Sequence, residues 1–314
     1  MPRHSALFAS LLVVASLQAV PRLRGTVDLT IGGEDAPDEA TFGRVTGLAL
    51  GPDGRIYVAD NQDNTVRVFS ADGKFLFKFG GKGSGPGEFT YLGAVTFGPD
   101  GLFWTRDEGN FRYQSFAVGA SKAEFRTTRR MLQHGRGIHD PIVFDAAGNV
   151  IEIGRVNAPN ANQYQRILTS IDAQGNAGVA DTTGAPPEDS VGVRYIRMPP
   201  NPSCRDGCVV GRFLYQPFAP LPLIAFAPNG EFAEAISSRY AISWTAFRGK
   251  QLHLLQQAAT GVEPTAEEQA TEIKRFDELL AELKMSRATA PFGVPRTKPP
   301  LRDLKFSTNG ELWV

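Results

Sequence analysis

Gly51-Pro52-Asp53-Gly54 recurs 47 residues on as Gly98-Pro99-Asp100-Gly101, and a further 47 residues on as Asp145-Ala146-Ala147-Gly148. A fixed step of this length is the strongest constraint in the chain. Each repeat must be one supersecondary unit that buries its apolar faces against its neighbours. Proline sets φ at the second position, and Asp and Gly suit the third and fourth, so each motif reads as a tight turn. Ala227-Pro228-Asn229-Gly230 and Ser307-Thr308-Asn309-Gly310 complete a set of five, and their longer intervals of 82 and 80 residues predict insertions.

The flanks of the turns alternate as strands do. Val45 to Leu50 enters the first turn and Arg55 to Asp60 leaves it, both rich in β-formers, which predicts a hairpin. A polar corner, Asn61 to Asn64, leads into Thr65 to Phe69, and Ala71-Asp72-Gly73 turns the chain into Lys74 to Phe79. In the second copy Asp107 and Phe116 stand as far past Gly101 as Asp60 and Phe69 stand past Gly54, so the register is kept without a gap. Four antiparallel strands per repeat make one blade, and the expected fold class is all-β, a β-propeller.

These residues resemble the NHL-repeat propellers, most closely the six-bladed kind found among exported bacterial proteins. Leu48 to Asp60 followed by Asn64 to Phe69 is similar to the NHL pattern, and Phe79 to Phe89, with its run of glycines, resembles the linker between such blades. The resemblance is specific in the first two blades and weaker in the third, whose Asn157 to Gln163 loop is expanded. Thr65 stands where many NHL repeats carry Arg or His, so the RNA binding of some cytoplasmic members is not carried over. A six-bladed ring implies that Val27 to Ile31 is a closing strand. It also implies that the fifth blade stops short at Val314 and that roughly 50 to 70 further residues would finish the ring. The expectation is therefore an open arc spanning 27–314.

One segment breaks the β pattern. Between Thr265 and Met285 the apolar residues Ile273, Phe276, Leu279, Leu280 and Leu283 recur at helical spacing, and Thr265 with Glu268 forms a capping box. This predicts a helical insertion over 264–287, between the fourth and fifth blades and packed on the rim.

Lys plus Arg and Asp plus Glu both number 33 in 314 residues, so no global field attracts polyanions and nucleic acid is not an expected partner. Residues 1–19 read as a signal peptide, with Arg3 and His4 ahead of an apolar run too short to span a bilayer. No later segment reaches spanning length without charges. Export to the periplasm or the extracellular space follows. In that setting Cys204 and Cys208 are expected to form a disulfide that pins their loop, with free thiols or half of a metal site as the alternatives.

Propeller ligands meet the face where the corners between second and third strands converge. The corners nominate Asp60 and Asn61 in the first blade and Arg106, Asp107 and Glu108 in the second. His139 with Asp140, Arg194 with Tyr195, and Arg302 with Asp303 lie near the starts of expected inner strands. Asp and Asn at strand ends also cap turns, which is the competing structural reading for Asp60 and Asp107. Adjacent strand residues point to opposite faces, so His139 and Asp140 do not read as a general base with its orienting partner. No nucleophile elbow and no phosphate loop is present. The expected function is a binding or scaffold module for a protein, peptide or glycan, with no cofactor. The alternative is a metal-dependent propeller enzyme, similar to a lactonase or a peptide-amidating lyase, with calcium as the metal.

Overall fold

The computed structural model describes residues 26–132, 141–157, 164–178, 181–182, 193–197, 211–227, 229–246, 251–290, 293–307 and 309–314. The signal-peptide segment, Cys204, Cys208, His139 and Asp140 lie outside them.

Strands β1 (Val45–Leu50), β2 (Ile56–Asp60), β3 (Thr65–Phe69) and β4 (Phe75–Gly80) form a four-stranded antiparallel sheet in sequential order. A second sheet repeats it with β5 (Leu92–Phe97), β6 (Phe103–Asp107), β7 (Arg112–Val118) and β8 (Ala123–Arg130). The third contains β9 (Val143–Phe144), β10 (Val150–Asn157), β11 (Tyr164–Ile171) and β12 (Asp181–Thr182). After it come β13 (Val193–Arg197) and β14 (Gly211–Tyr215), which among the described residues form a two-stranded sheet of their own. Four strands follow in one sheet, β15 (Pro222–Phe226), β16 (Phe232–Ile236), β17 (Ala241–Thr245) and β18 (Gln251–Gln256). The helix α1 (Ala266–Glu282), a final pair, β19 (Lys305–Phe306) and β20 (Leu312–Trp313), and a 3-10 turn at Asp38–Ala40 ahead of β1 complete the described elements.

All five repeated turns close in the same way. The N–H of Gly54, Gly101, Gly148, Gly230 and Gly310 donates to the first carbonyl of its own turn at 2.9 to 3.1 Å. Each of these glycines has φ between +74° and +84°, a left-handed conformation that a side chain would strain.

The sheets stack face to face, because the strands alternate their apolar residues between two neighbours. Phe103 joins Tyr57, Val66 and Val68 in the core between the first and second sheets, while the adjacent Trp104 joins Phe144, Val150 and Ile171 between the second and third. Val143, Ile151 and Leu168 of the third sheet pack directly on Phe232, Ile224 and Phe226 of the β15 to β18 sheet. That sheet in turn packs Leu223 and Ile242 against Leu304, Phe306 and Leu312 beside β19 and β20. First strands approach one another, β1 beside β5 and β15 beside β19. This is the blade stacking of a propeller: among the described residues, four four-stranded blades and the pair β19 and β20 each contain one of the repeated turns.

The two long intervals hold the two elements that stand outside this stack. β13 and β14 are inserted between the third and fourth blades, and α1 between the fourth and fifth. The insertions pack on each other: Leu214 of β14 is buried with Phe276, Leu280 and Leu283 of the helical segment. Gln216 Nε2 also donates to the Gly293 carbonyl at 2.9 Å. The capping box is present, with the Thr265 side chain accepting from the Glu268 N–H and the Glu268 carboxylate accepting from the Thr265 N–H. Reciprocal bonds between Val262 and Lys298 close the neck of the helical insertion, and Lys298 Nζ reaches Glu268.

Val27 to Ile31 carries no strand, contrary to the closing ladder expected of it. The segment instead lies over the outward face of the first blade, where Leu29 and Ile31 approach Gly73 and Phe42 packs on Phe69. It lies against β3, where Thr65, Arg67 and Phe69 are buried, and leaves Leu76 of β4 39% exposed and Leu48 and Leu50 of β1 66% and 68% exposed.

Candidate functional site

The corners between second and third strands use the same construction in successive blades. Asp60 ends β2 and is 1% exposed. Its carboxylate accepts from the N–H groups of Gly43 and Arg44, just ahead of β1, at 2.8 Å each, and from Gln62 at 3.0 Å. Arg67 lies 3.7 Å from Asp60 and 2.9 Å from Asp63, and its guanidinium covers the Phe42 ring. Burial pushes the Asp60 carboxyl up, but the N–H groups of Arg44, Gly43 and Gln62, aided by the Arg67 charge, outweigh it and hold it below the ordinary carboxylate range.

Asp107 occupies the same place in the second blade and is fully buried. It accepts from the Thr90 and Tyr91 N–H groups, ahead of β5, at 3.1 and 3.2 Å, from Asn110 Nδ2 at 2.7 Å and from Arg112 Nε at 3.2 Å. In the third blade Glu152 accepts from the Leu132 N–H, and in the fourth Ser237 Oγ accepts from the Leu221 N–H, both at 2.8 Å. In each case a side chain on the second strand, or directly after it at Ser237, ties down backbone that leads toward the first strand. Asn61 works between blades: its Nδ2 donates to the Leu92 carbonyl, which also accepts from Thr46 Oγ1, while Asn64 Oδ1 accepts from the Leu92 N–H, each at 3.0 Å.

Asp60, Asn61 and Asp107 thus lie at corresponding corners, where both carboxylates and Asn61 Nδ2 are engaged in holding the corners. Arg106 is buried between the second and third blades and pairs with Glu108 at 3.1 Å. Arg194 and Tyr195 lie on β13, opposite Leu214 and Phe213. This corrects their expected place at an inner strand, because β13 belongs to the inserted hairpin and the third and fourth blades meet without it. Arg302 and Asp303 are exposed ahead of β19, where Asp303 accepts from the Leu304 N–H at 2.9 Å and lies 3.4 Å from Lys305 Nζ. Among the described residues no group of three or more His, Cys, Asp or Glu side chains converges as a metal site would.

Beside the exposed Gln62 and Asp63, the corners also present a pair that sequence reasoning missed. Arg44 is exposed immediately ahead of β1 and Tyr91 half-buried immediately ahead of β5, and the Arg44 guanidinium lies 5.8 Å from the centre of the Tyr91 ring. The two occupy the same repeat position, 47 residues apart. That spacing is the signal the sequence carries for them, and it lies outside the turns and strand ends that mark the repeat. Their backbone N–H groups are the ones that Asp60 and Asp107 hold, so the buried carboxylates fix the chain from which the exposed cation and phenol project.

The profile of a family described as a 6-bladed β-propeller matches residues 36–98, which covers the first blade and β5. No curated protein matches the chain. Among solved structures, a protein of Bacteroides fragilis described as exported is similar at 12% identity and a TM-score of 0.44, over 76% of this chain and 58% of that one. Virginiamycin B lyase from Staphylococcus aureus is similar at 12% identity and a TM-score of 0.30, over 72% of this chain and 61% of that one. The gluconolactonase XC5397 of Xanthomonas campestris is similar at 10% identity and a TM-score of 0.37, over 87% and 69% respectively. The chain thus spans less than two thirds of the length of the first two. No helix among the described residues is long and apolar enough to cross a membrane. The chain is an all-β propeller with one helical insertion, and its first blade matches the 6-bladed family.

Proposed function

We propose that this chain is an exported propeller of NHL type that binds a peptide, glycan or protein partner at the corner face beside its first strands. The observation that carries the reading is the Arg44 and Tyr91 pair, a guanidinium over a phenol ring at equivalent places in adjacent blades. Such a pair suits a carboxylate next to a flat apolar surface, as on an acidic glycan or an acidic peptide: the guanidinium meets the carboxylate and the ring takes the apolar face. The supporting carboxylates Asp60 and Asp107 are already committed to backbone N–H groups, so the backbone from which the pair projects is preorganised.

Arrays of acidic and neutral oligosaccharides and of acidic peptides, probed with the purified chain, test this. One acidic class is expected to bind, and Arg44→Ala or Tyr91→Ala is expected to weaken that binding about tenfold, or 1.4 kcal/mol. Binding unchanged in both variants would overturn the assignment. Blank arrays together with a calcium-dependent rise in melting temperature would turn the reading toward a metal-dependent propeller enzyme.

A further inference from the structure

In the first two blades the corner between second and third strands ends on a left-handed residue, Asn64 with φ +57° and, 47 residues on, Phe111 with φ +52°. Asparagine tolerates this conformation, and Asn64 makes use of it, since its Oδ1 accepts from the Leu92 N–H at 3.0 Å. A bulky aromatic residue with positive φ is an outlier. The fold holds it there from both sides. The Phe111 N–H donates to the Glu108 carbonyl at 3.4 Å, and the Phe111 carbonyl accepts from the Met131 N–H at 2.9 Å. Core burial is not what this position obtains in return, for Phe111 is left 42% exposed.

Phe111 stands beside the Arg44 and Tyr91 pair. The Glu108 N–H donates to the Tyr91 carbonyl at 3.0 Å, and Gly109 packs so closely that a β-carbon on it would lie 3.0 Å from the Tyr91 nitrogen. The turn that presents Phe111 is thus seated on the Tyr91 backbone. Tyr91 precedes β5 and Phe111 precedes β7, with β6 between them, so their bases lie two strand spacings, roughly 10 Å, apart. We infer that Arg44, Tyr91 and Phe111 form one platform for an oligosaccharide containing uronic acid, an assignment that rests on the corner face being the binding surface. The guanidinium takes the sugar carboxylate, and sugar rings of one oligomer lie on the two aromatic rings. A glycan is favoured over an acidic peptide because the main chain at these positions is engaged within the fold. Asp60 and Asp107 hold the N–H groups of Arg44 and Tyr91, whose carbonyls accept from the N–H groups of Asn61 and Glu108 at 2.9 and 3.0 Å. An extended peptide read through main-chain hydrogen bonds would meet partners already taken, whereas a sugar needs only the rings and the charged side chain.

Isothermal titration of the whole 314-residue chain with triuronates of galacturonic, glucuronic and mannuronic acid, their neutral counterparts and hexaglutamate tests the assignment. At least one triuronate is expected to bind, with its neutral counterpart and hexaglutamate each weaker by about tenfold or more. Phe111→Asn, which supplies the residue type that position 64 uses, is expected to weaken triuronate binding about tenfold while the melting temperature stays at or above that of the wild type. Phe111→Tyr keeps the ring and is expected to keep the binding. If Phe111→Asn does not fold, saturation transfer from the aromatic protons of the wild type to the C–H protons of the bound sugar reads the same contact. Triuronate binding that Phe111→Asn leaves unchanged, or a bound sugar that receives no transfer, would overturn the platform. Hexaglutamate binding as tight as that of any triuronate, and lost in Arg44→Ala, would overturn the glycan assignment and leave the corner face standing as the binding surface. Failure of every triuronate to bind would also overturn it, and the peptide and oligosaccharide arrays would then decide the corner-face reading separately.

Discussion

The first two blades and the pair of insertions on the rim solve the same problem by different means. In the blades, each strand alternates its apolar residues between two neighbours, so a single residue such as Phe103 contributes to a core that four strands on either side complete. The inserted hairpin and helix have no such stack to join, and they bury their apolar faces against each other through Leu214, Phe276, Leu280 and Leu283. The blades are strongly coupled to their neighbours, while the rim module is a satellite core with its own closed neck. Burial within a repeat therefore propagates around the arc, and burial within the module stays local.

Removing Phe103 should have the largest effect. Phe103→Ala leaves a cavity between two blades and is expected to cost about 3–5 kcal/mol. Denaturant unfolding followed by tryptophan fluorescence and by the β signal in circular dichroism should shift as one transition. A shift confined to one probe would break the idea that the blades are coupled. Leu280→Ala is expected to cost about 2–4 kcal/mol, but within the module alone. The helical signal should melt ahead of the β signal, and coincident melting would show that the rim is part of the main core.

The smallest expected effect concerns the corner. Asp60→Asn removes a charge that three N–H groups and Arg67 stabilise, and should cost about 1–3 kcal/mol near neutral pH. Because the Asp60 carboxyl is held below its ordinary value in the folded chain, its contribution is complete above the unfolded-state value of about 3.9 and fades as pH falls through the lower folded value. The difference between wild type and variant should therefore shrink as stability is measured from pH 6 down to pH 3. A difference that stays constant over that range would assign the effect to geometry and not to charge.

The blades were legible because their information is local. A turn needs a residue that tolerates positive φ, a strand needs alternation, and both are written within a few residues of Gly54 and of Gly101. The helix was legible for the same reason, through Thr265, Glu268 and the spacing of its leucines. β13 and β14 were not, since the residues between them and the third blade carry no repeat, and it is contact with the helical insertion, through Leu214 and Gln216, that gives the hairpin a place. The expected closing strand at Val27 failed on a related point: alternation makes a strand only where a ladder partner exists, and this segment packs as a cover. At the corners, sequence found the positions of Asp60, Asn61 and Asp107, but residue type alone does not distinguish a carboxylate that faces a ligand from one that faces backbone N–H groups. The accessible Arg44 and Tyr91 sit beside those carboxylates in space and sixteen positions earlier in sequence, outside any local motif.

The neck at Val262 and Lys298 makes the helical insertion a cassette that leaves and re-enters the chain at a single point, so its length can change without disturbing the blades on either side. Its contact with the hairpin adds a mechanical role. One insertion emerges before the fourth blade and the other after it, and their shared core spans that blade like a brace across a hinge. Splaying the third blade from the fifth would have to pull Leu214 from the helix. The rim would then add to the stiffness of an arc whose blades are joined by face-to-face packing and, between the first two, by the corner hydrogen bonds to Leu92.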